Sequence, residues 1–252
     1  MDDPGGSQSS YEVPKDFLGR KLPYLRTIYF RFGTRIVGGT GRASDNCHHN
    51  VLRLQIHKTF LGLVIQALIS LLPLVLIPRI QAKFPEWFLP ERIVLKVEKD
   101  NWKEEFELEK TAYEKLKCLQ GDVIPRCYGQ IEYDEKRALI LSDVGGACLA
   151  TPDGAVLDEN DLRLLLDKAI TSLTDRHVSH DDTKLNNFHL VTENGKDRIM
   201  VVDLEMVDMD LSEDGYAFAA RSKVSWLIQQ YRQHLDTMKY DGVILPKRPL
   251  QA

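Results

Sequence analysis

The sequence predicts an α+β fold in two lobes: a small sheet with one helix, followed by a mainly helical lobe. Strand-like segments with alternating or β-branched apolar residues are concentrated between residues 51 and 146. Beyond that point, two helical periodicities surround one short hairpin. A chain of 252 residues with 43% hydrophobic composition can bury one compact unit of this kind. We therefore expect one lobe over residues 51–146 and a second over residues 147–252.

Residues 1–50 are expected to be an N-terminal tail that is partly disordered. They are rich in Gly, Ser, Arg and Asp, and their short apolar patch is enough for no more than one helix. The first ten residues lack the apolar core of a secretory signal. We interpret Gly38, Gly39 and Gly41 as a flexible turn of this tail.

Four strands and one helix are predicted for the first lobe. Residues 52–58 alternate apolar and polar side chains, and residues 92–98 are dense in β-branched residues. Residues 127–133 and 138–141 are expected to pair around a turn. Between these pairs, apolar residues recur at three- and four-residue steps over 102–119, which is typical of an amphipathic helix.

The apolar segment 60–77 has two interpretations. Its eighteen residues approach the length of a membrane span. Residues such as Gly62, Gln66 and Pro73 would weaken a helix embedded in lipid. We favour two buried strands joined by a turn, and we keep a membrane-anchored protein as the alternative.

Two helices and a hairpin are predicted for the second lobe. One apolar helical face covers residues 162–173, with Asp158 and Asn160 as candidate caps. Short apolar strands at 188–191 and 198–202 flank an Asn-Gly turn, which is a strong hairpin signal. A last helix is expected near residues 216–235.

Charge and cysteine content restrict the class of protein. A formal net charge of -4 gives no basic footprint for nucleic acid, so we exclude that partner. The cysteines form no C-x-x-C pair, and a chain of this length does not need disulfides. We expect reduced thiols in an intracellular, cytoplasmic protein. The four cysteines are Cys47, Cys118, Cys127 and Cys148.

The residues best suited to chemistry fall in one loop and the hairpin after it. In H-D-D-T-K-L-N-N, which starts at His180, Asp182 lies two residues before Lys184 and five before Asn187. Asp203 follows an apolar strand that would hold its carboxylate rigidly. Phosphoryl transfer needs carboxylates, an amide oxygen and lysines at one point, because the protein must bind Mg²⁺ and phosphates and orient a hydroxyl. This segment therefore predicts phosphate chemistry.

Two further residues, which lie earlier in the chain, extend this set. The strand I-V-L-K ends at Lys96, which suits a lysine that contacts phosphates, and the next helix offers Glu109 as its ion-pair partner. Lys96 could instead be a strand lysine whose stem lies on apolar surface. Glu109 is the weaker choice, since neighbouring glutamates would normally form the solvated face of the helix. These competing residues are Glu104, Glu105, Glu107 and Glu114.

Because these motifs follow one another in the same order as in kinases, residues 51–208 resemble the protein-kinase-like superfamily. The resemblance is greatest to compact fungal kinase-like proteins and to lipopolysaccharide or small-molecule kinases. The resemblance implies ATP and Mg²⁺ as cofactors, and a protein or small molecule bearing a hydroxyl group as the phosphate acceptor. It implies that His180 packs and orients the loop. It also implies Lys96 on the phosphates, Glu109 bracing Lys96, Asp182 as catalytic base, Lys184 near the transferred phosphate, and Asn187 and Asp203 on Mg²⁺.

Three departures from the kinase pattern favour a divergent member. No G-x-G-x-x-G loop lies one strand before Lys96, and the metal motif at 203–205 is D-L-E rather than D-F-G. Only 49 residues follow Asp203, and they contain no A-P-E. We therefore expect a shortened helical lobe rather than a conventional regulated protein kinase. A pseudokinase that serves as an interaction module is the main alternative.

Overall fold

The computed structural model describes residues 23–44, 49–73, 75–243 and 247–251. Within these ranges the chain forms eleven strands and five α-helices, which confirms the predicted α+β class. The disorder expected at the extreme N-terminus and the position of Cys47 lie outside the described residues. The other three cysteines are free thiols.

Six antiparallel strands form the largest sheet, in the order β1-β2-β3-β4-β6-β5. The helix α3 (Lys103–Lys115) lies between β4 and β5 in the chain. In the sheet, β4 pairs with β6, and β5 is the edge strand beyond β6. The four strands and the helix predicted for residues 52–141 are therefore confirmed. The strands are β1 (Arg26–Phe32), β2 (Arg35–Ala43), β3 (Val51–Ile56), β4 (Arg92–Val97), β5 (Cys127–Tyr133) and β6 (Lys136–Ser142).

Alternation along β4 assigns its side chains to two faces of the sheet. Ile93 and Leu95 are fully buried in the apolar cluster shared with β1, β2 and β3. Val94 and Lys96 face the other way, because successive strand residues point to opposite sides. These two side chains line the cavity beside the helical part of the molecule.

The prediction of an N-terminal tail is wrong for residues 26–43, which form β1 and β2. Ile28, Phe30 and Phe32 alternate with exposed residues and are buried in the sheet. The glycines of β2 misled the sequence prediction because glycine usually weakens a strand. At Gly41 the close approach of β3 requires this residue: a Cβ there would lie 1.8 Å from the carbonyl oxygen of Arg53.

The prediction of two buried strands at residues 60–77 is also wrong. The segment contains α1 (Phe60–Ser70) and leads into α2 (Ile77–Lys83), and neither helix has a buried residue. The hydroxyl of Thr59 caps α1 by accepting from the Gly62 N–H. Apolar composition alone does not distinguish a strand from a helix in a run of this length. Among the described residues, none of the helices has both the length and the apolar character needed to cross a membrane.

The helical lobe begins after β6 and contains two long helices. Of the two candidate caps, Asp158 is the cap of α4 (Glu159–Thr174), because its carboxylate accepts from the N–H groups of Asn160 and Asp161, whereas Asn160 lies within the helix. The helix α5 (Glu213–Tyr240) is longer than predicted and packs on α4. Their common core also includes the predicted hairpin. The smaller strands are β7 (Ala147–Cys148), β8 (Ser179–His180), β9 (Phe188–Glu193), β10 (Lys196–Val201) and β11 (Val207–Asp208).

The helical lobe has its own buried apolar cluster, formed by α3, α4, α5 and the hairpin β9–β10. Tyr231 is fully buried there, and its hydroxyl donates to the Leu157 carbonyl over 2.8 Å. Leu139 and Leu141 of β6 join the same cluster, so the sheet and the helices are packed against each other. The division of the chain at residue 146 stays a prediction.

Candidate active site

Short strand pairing brings the two halves of the predicted motif together. The strands β8 and β11 pair antiparallel, with His180 opposite Val207. The Val202 N–H donates to the carbonyl oxygen of Asn187 over 2.9 Å. The loop after β8 and the turn after β10 are consequently adjacent, and Asp203 lies beside the loop that carries Asp182 and Asn187.

Lys96 joins the sheet to this turn. Its Nζ lies 2.8 Å from Glu109 Oε1 and 2.7 Å from Asp203 Oδ1. The Lys96 side chain is only 7% exposed and that of Glu109 only 1%. Among the glutamates of α3, Glu109 is the buried one. Residues separated by 13 and 107 positions thus meet at one ammonium group.

The charge of this cluster follows from its contacts. Burial would lower the pKa of Lys96, but the carboxylates of Glu109, Asp203 and Glu205 outweigh burial and raise that pKa. Burial would likewise raise the pKa of Asp203, but Lys96 outweighs it and lowers that pKa. Lys96 is therefore a cation and Asp203 an anion near neutral pH.

Asp182, Lys184 and Asn187 form a second connected group. The Asn187 Nδ2 donates to the Asp182 carbonyl over 2.8 Å and to Asp182 Oδ2 over 3.0 Å. The Lys184 Nζ lies 2.8 Å from Asp182 Oδ1, and the Lys184 side chain is exposed. This pairing with Asp182 raises the pKa of Lys184. The loop thus presents an oriented carboxylate next to a solvent-facing ammonium group.

His180 fixes the backbone at Asp203. Its Nε2 lies 2.9 Å from the Asp203 carbonyl, so that nitrogen must carry a proton and donate it. Burial lowers the pKa of His180, which favours the neutral ring. Asp203 itself has φ +62°, in the left-handed region, which few residues other than glycine tolerate. The His180 ring packs edge-on against Phe188 and anchors this turn.

Lys96, Asn187 and Asp203 line the same cavity, which has a volume of about 320 Å³. Its walls combine apolar residues such as Val94 with polar ones such as Asp143. This size and composition suit a small organic ligand. Three of the six predicted site residues, Lys96, Asn187 and Asp203, therefore line this cavity. Glu109 contacts Lys96 from the α3 side, and Asp182 and Lys184 are connected to Asn187 by the contacts described above without lining the cavity.

Sequence reasoning missed the participation of two charged residues. Glu205, noted only as the residue in place of a glycine, has Oε1 3.2 Å from Lys96 Nζ. Its other oxygen contacts the Nζ of Lys99, which also lies over the ring of Trp102. A lysine three residues after the expected phosphate-binding lysine was the available signal. Its partner could not be inferred, because the two residues are 106 positions apart.

The contribution of α5 was also missed. Lys223 Nζ donates to Ser179 Oγ over 2.6 Å and to the His180 carbonyl over 2.7 Å, and it pairs with Asp181. Gln230, two turns further along the helix, donates to the Thr183 carbonyl over 2.8 Å. The seven-residue spacing places both side chains on one helix face. Polar residues at this spacing usually mark a solvated face, so the sequence alone did not single them out.

The donor set is compatible with Mg²⁺. The described ranges contain no group of three or more His, Cys, Asp or Glu side chains arranged to hold a metal ion. Mg²⁺ bound with a nucleotide needs fewer protein ligands, since phosphate oxygens and water complete its coordination. The Asp203 carboxylate and the side-chain amide oxygen of Asn187 are ligands of the required type, and both residues line the cavity.

Comparisons with known proteins find similarity among solved structures but not among family models or curated proteins. No protein-family model and no curated protein matches the chain. Among solved structures, it is similar to a cysteine-to-alanine mutant of the Mycobacterium tuberculosis PknI kinase domain. The identity is 14% and the TM-score 0.44, over 71% of this chain and 69% of that chain. A similarity at this level does not assign a function, so the functional case rests on the contacts within the cleft.

Proposed function

We propose that this protein is a kinase-like phosphotransferase that binds Mg-ATP between its two lobes and transfers the γ-phosphate to a hydroxyl group. One observation carries the proposal: the buried Lys96 bonds both Glu109 and Asp203 at the wall of the cavity that Asn187 also lines. In kinases, a strand lysine that pairs with a helix glutamate contacts the phosphates of the nucleotide.

Each residue has a role that its position supports. Lys96 would bind phosphate oxygens, and Glu109 would hold Lys96 in place. Asp182 would accept the proton of the acceptor hydroxyl. The hydroxyl oxygen would then bond to the γ-phosphorus of ATP while the bond from that phosphorus to the bridging oxygen of the β-phosphate breaks, which leaves ADP. Lys184, paired with Asp182 and open to solvent, would attract the transferred phosphate.

Asp203 and Asn187 are the residues that would hold Mg²⁺. When bound, the ion would neutralise charge that develops on the phosphate oxygens. His180 would keep the Asp203 backbone in its left-handed conformation through the bond to the Asp203 carbonyl. The acceptor, its class as protein or small molecule, the fungal or small-molecule type of kinase and the intracellular location stay predictions.

A pseudokinase is the second candidate, and one contact favours it. Lys96 is paired with three carboxylates, because Glu205 adds to Glu109 and Asp203. A lysine that is paired in this way must exchange a carboxylate for a phosphate group before it can bind a nucleotide. If that exchange does not occur, the fold would act as an interaction module.

Nucleotide binding and turnover by the full chain test both candidates. We expect ATP to bind in calorimetry, more tightly with Mg²⁺ than without it, and we expect Asp203→Ala to remove that difference. Asp182→Ala should keep binding but lower ATP turnover by roughly 10²- to 10⁴-fold, the usual contribution of a general base. Asp167→Ala, at an exposed position on α4, should leave both unchanged.

The outcomes separate the candidates. If Mg-ATP does not bind at all, the enzyme proposal fails. Binding without turnover by the wild type supports the pseudokinase. If Asp182→Ala turns over ATP at the wild-type rate, Asp182 is not the base.

A further inference from the structure

The helix α1 and the chain after it expose an unusual amount of apolar surface. We call residues 59–73 and 75–84 the apolar segment. Phe60 is 83% exposed and Leu71 is 81% exposed, and further large apolar side chains in this segment are also open to solvent. Single exposed apolar residues need no explanation, but a contiguous group of this kind marks an interaction site. These further residues are Leu61, Leu63, Leu68, Val75 and Leu76.

The distribution of apolar residues around α1 indicates the kind of partner. The helix carries no charged residue, and none of its residues is buried. A helix that docks in a protein groove is apolar on one side and polar on the other. In α1 the polar side is narrow, because its only polar side chains, Gln66 and Ser70, lie four residues apart on one side of the helix. A helix with a wide apolar side and a narrow polar side suits the boundary of a lipid bilayer, where the narrow side faces the headgroups.

The charges of the apolar segment and its N-terminal neighbour point to the same partner. Between residues 58 and 84 the basic residues are Lys58, Arg79 and Lys83, and there is no acidic residue. Lys58 pairs with Glu91 over 3.5 Å, so the basic residues that matter for this partner are Arg79 and Lys83. The chain as a whole has a net charge of -4, so this stretch departs from the overall balance. Arg79 and Lys83 are exposed. Basic residues next to apolar ones complement the anionic headgroups of a membrane surface.

Both ends of the apolar segment are attached to the sheet. At the first end, the His57 N–H donates to the Gly38 carbonyl over 2.8 Å. Just beyond the second end, the buried Glu86 accepts from Thr34 Oγ1 over 2.7 Å and its carbonyl accepts from Arg35. The exposed apolar surface therefore belongs to an insertion anchored on the folded sheet rather than to a loose terminus.

We propose that the apolar segment docks this protein onto the surface of an anionic lipid bilayer. Its apolar side chains would enter the boundary between headgroups and acyl chains, while Arg79 and Lys83 contact the phosphate headgroups. With eleven residues, α1 is roughly 16 Å long, against about 30 Å for the hydrocarbon core. The segment thus lies on one leaflet and does not cross the bilayer. The proposal is independent of the phosphotransferase activity.

Vesicle flotation with the full chain tests the proposal. We expect the wild type to float with vesicles of phosphatidylcholine and phosphatidylserine, and less with phosphatidylcholine alone. Phe60→Asp combined with Leu68→Asp should lower the partition coefficient by at least about tenfold, because charge opposes entry into the apolar region. The matched control is Leu164→Asp combined with Phe218→Asp, at similarly exposed positions in the helical lobe.

A charge-reversal variant separates the electrostatic contribution to membrane binding from the apolar contribution. Arg79→Glu combined with Lys83→Glu should reduce the preference for phosphatidylserine while the variant keeps the wild-type melting temperature. If the wild type does not float with either vesicle, or if the Phe60 and Leu68 variant floats as well as the control, the proposal is wrong. If the wild type self-associates without floating, and the Phe60 and Leu68 variant does not self-associate, the bilayer proposal is wrong. The partner of the apolar segment is then a second copy of the chain.

Discussion

Lys96 and Glu109 form a buried ion pair between β4 and α3, with Lys96 Nζ 2.8 Å from Glu109 Oε1. The same ammonium group bonds Asp203 at the end of β10, so one lysine connects the sheet, the helix and the hairpin. Removing one partner of a buried ion pair leaves an uncompensated charge, whereas replacing both with apolar residues is often neutral. Stability and nucleotide binding at this pair are therefore separable.

We expect Lys96→Met to lower the free energy of unfolding by about 3 to 5 kcal/mol, because it leaves the carboxylates unpaired. Lys96→Met combined with Glu109→Leu should recover part of that loss, as measured by urea denaturation. Neither variant should bind Mg-ATP. A double variant less stable than Lys96→Met, or one that binds nucleotide like the wild type, contradicts this view of the pair.

Lys223 is expected to position the loop that carries Asp182. Its Nζ contacts Ser179, the His180 carbonyl and Asp181, so Lys223→Met should loosen the loop. We expect turnover to fall about tenfold or more, since small displacements of catalytic groups are costly, with Mg-ATP affinity nearly unchanged.

The control for this effect is Lys239→Met, at an exposed lysine of the same helix. Hydrogen exchange of the amides at residues 181–187 supplies a readout that does not depend on catalysis, and it should quicken only in Lys223→Met. Equal exchange in both variants would remove Lys223 from this role.

His189 should make stability depend on pH. Burial, helped by the positive charge of Arg53, lowers the pKa of His189 from 6.5 to about 4. The folded chain thus binds fewer protons at His189 than the unfolded chain between these values, so stability falls as pH decreases from about 6.5 to about 4. The full effect of such a shift is about 3 kcal/mol.

Chemical denaturation of the wild type and of His189→Leu at several pH values measures this contribution. Carboxylates titrate in the same range in both proteins, so the difference between the two curves isolates His189. The variant should lose less stability than the wild type as the pH falls from about 6.5 to about 4. Parallel curves would show that His189 does not titrate as expected.

Local patterns were sufficient to predict most of the regular elements. Period-2 alternation predicted β3, a high density of β-branched residues predicted β4, three- and four-residue steps predicted α3 and α4, and the Asn-Gly turn predicted the hairpin β9–β10. The motif order also selected Lys96, Glu109 and Asp203, which the structure brings to one point. The predicted elements were confirmed because they depend on interactions close in sequence, and the site residues were selected because one chemistry requires their residue types.

Long-range packing decided the rest. The glycine-rich β2 is a strand because β1 and β3 pair with it on both sides, and Gly41 permits the close approach to Arg53. The contacts of Lys223 with Ser179, His180 and Asp181 span more than forty residues.

By itself, the sequence determined the α+β class and the central helices and strands, and it selected the residues that we propose for phosphate chemistry. Only the tertiary structure decided that residues 26–43 extend the sheet, that α1 is exposed, and that Glu205 and Lys223 hold the site. The physical reason is that strand pairing, burial and ion pairs between distant residues depend on where the whole chain places its segments, and no local pattern records that placement.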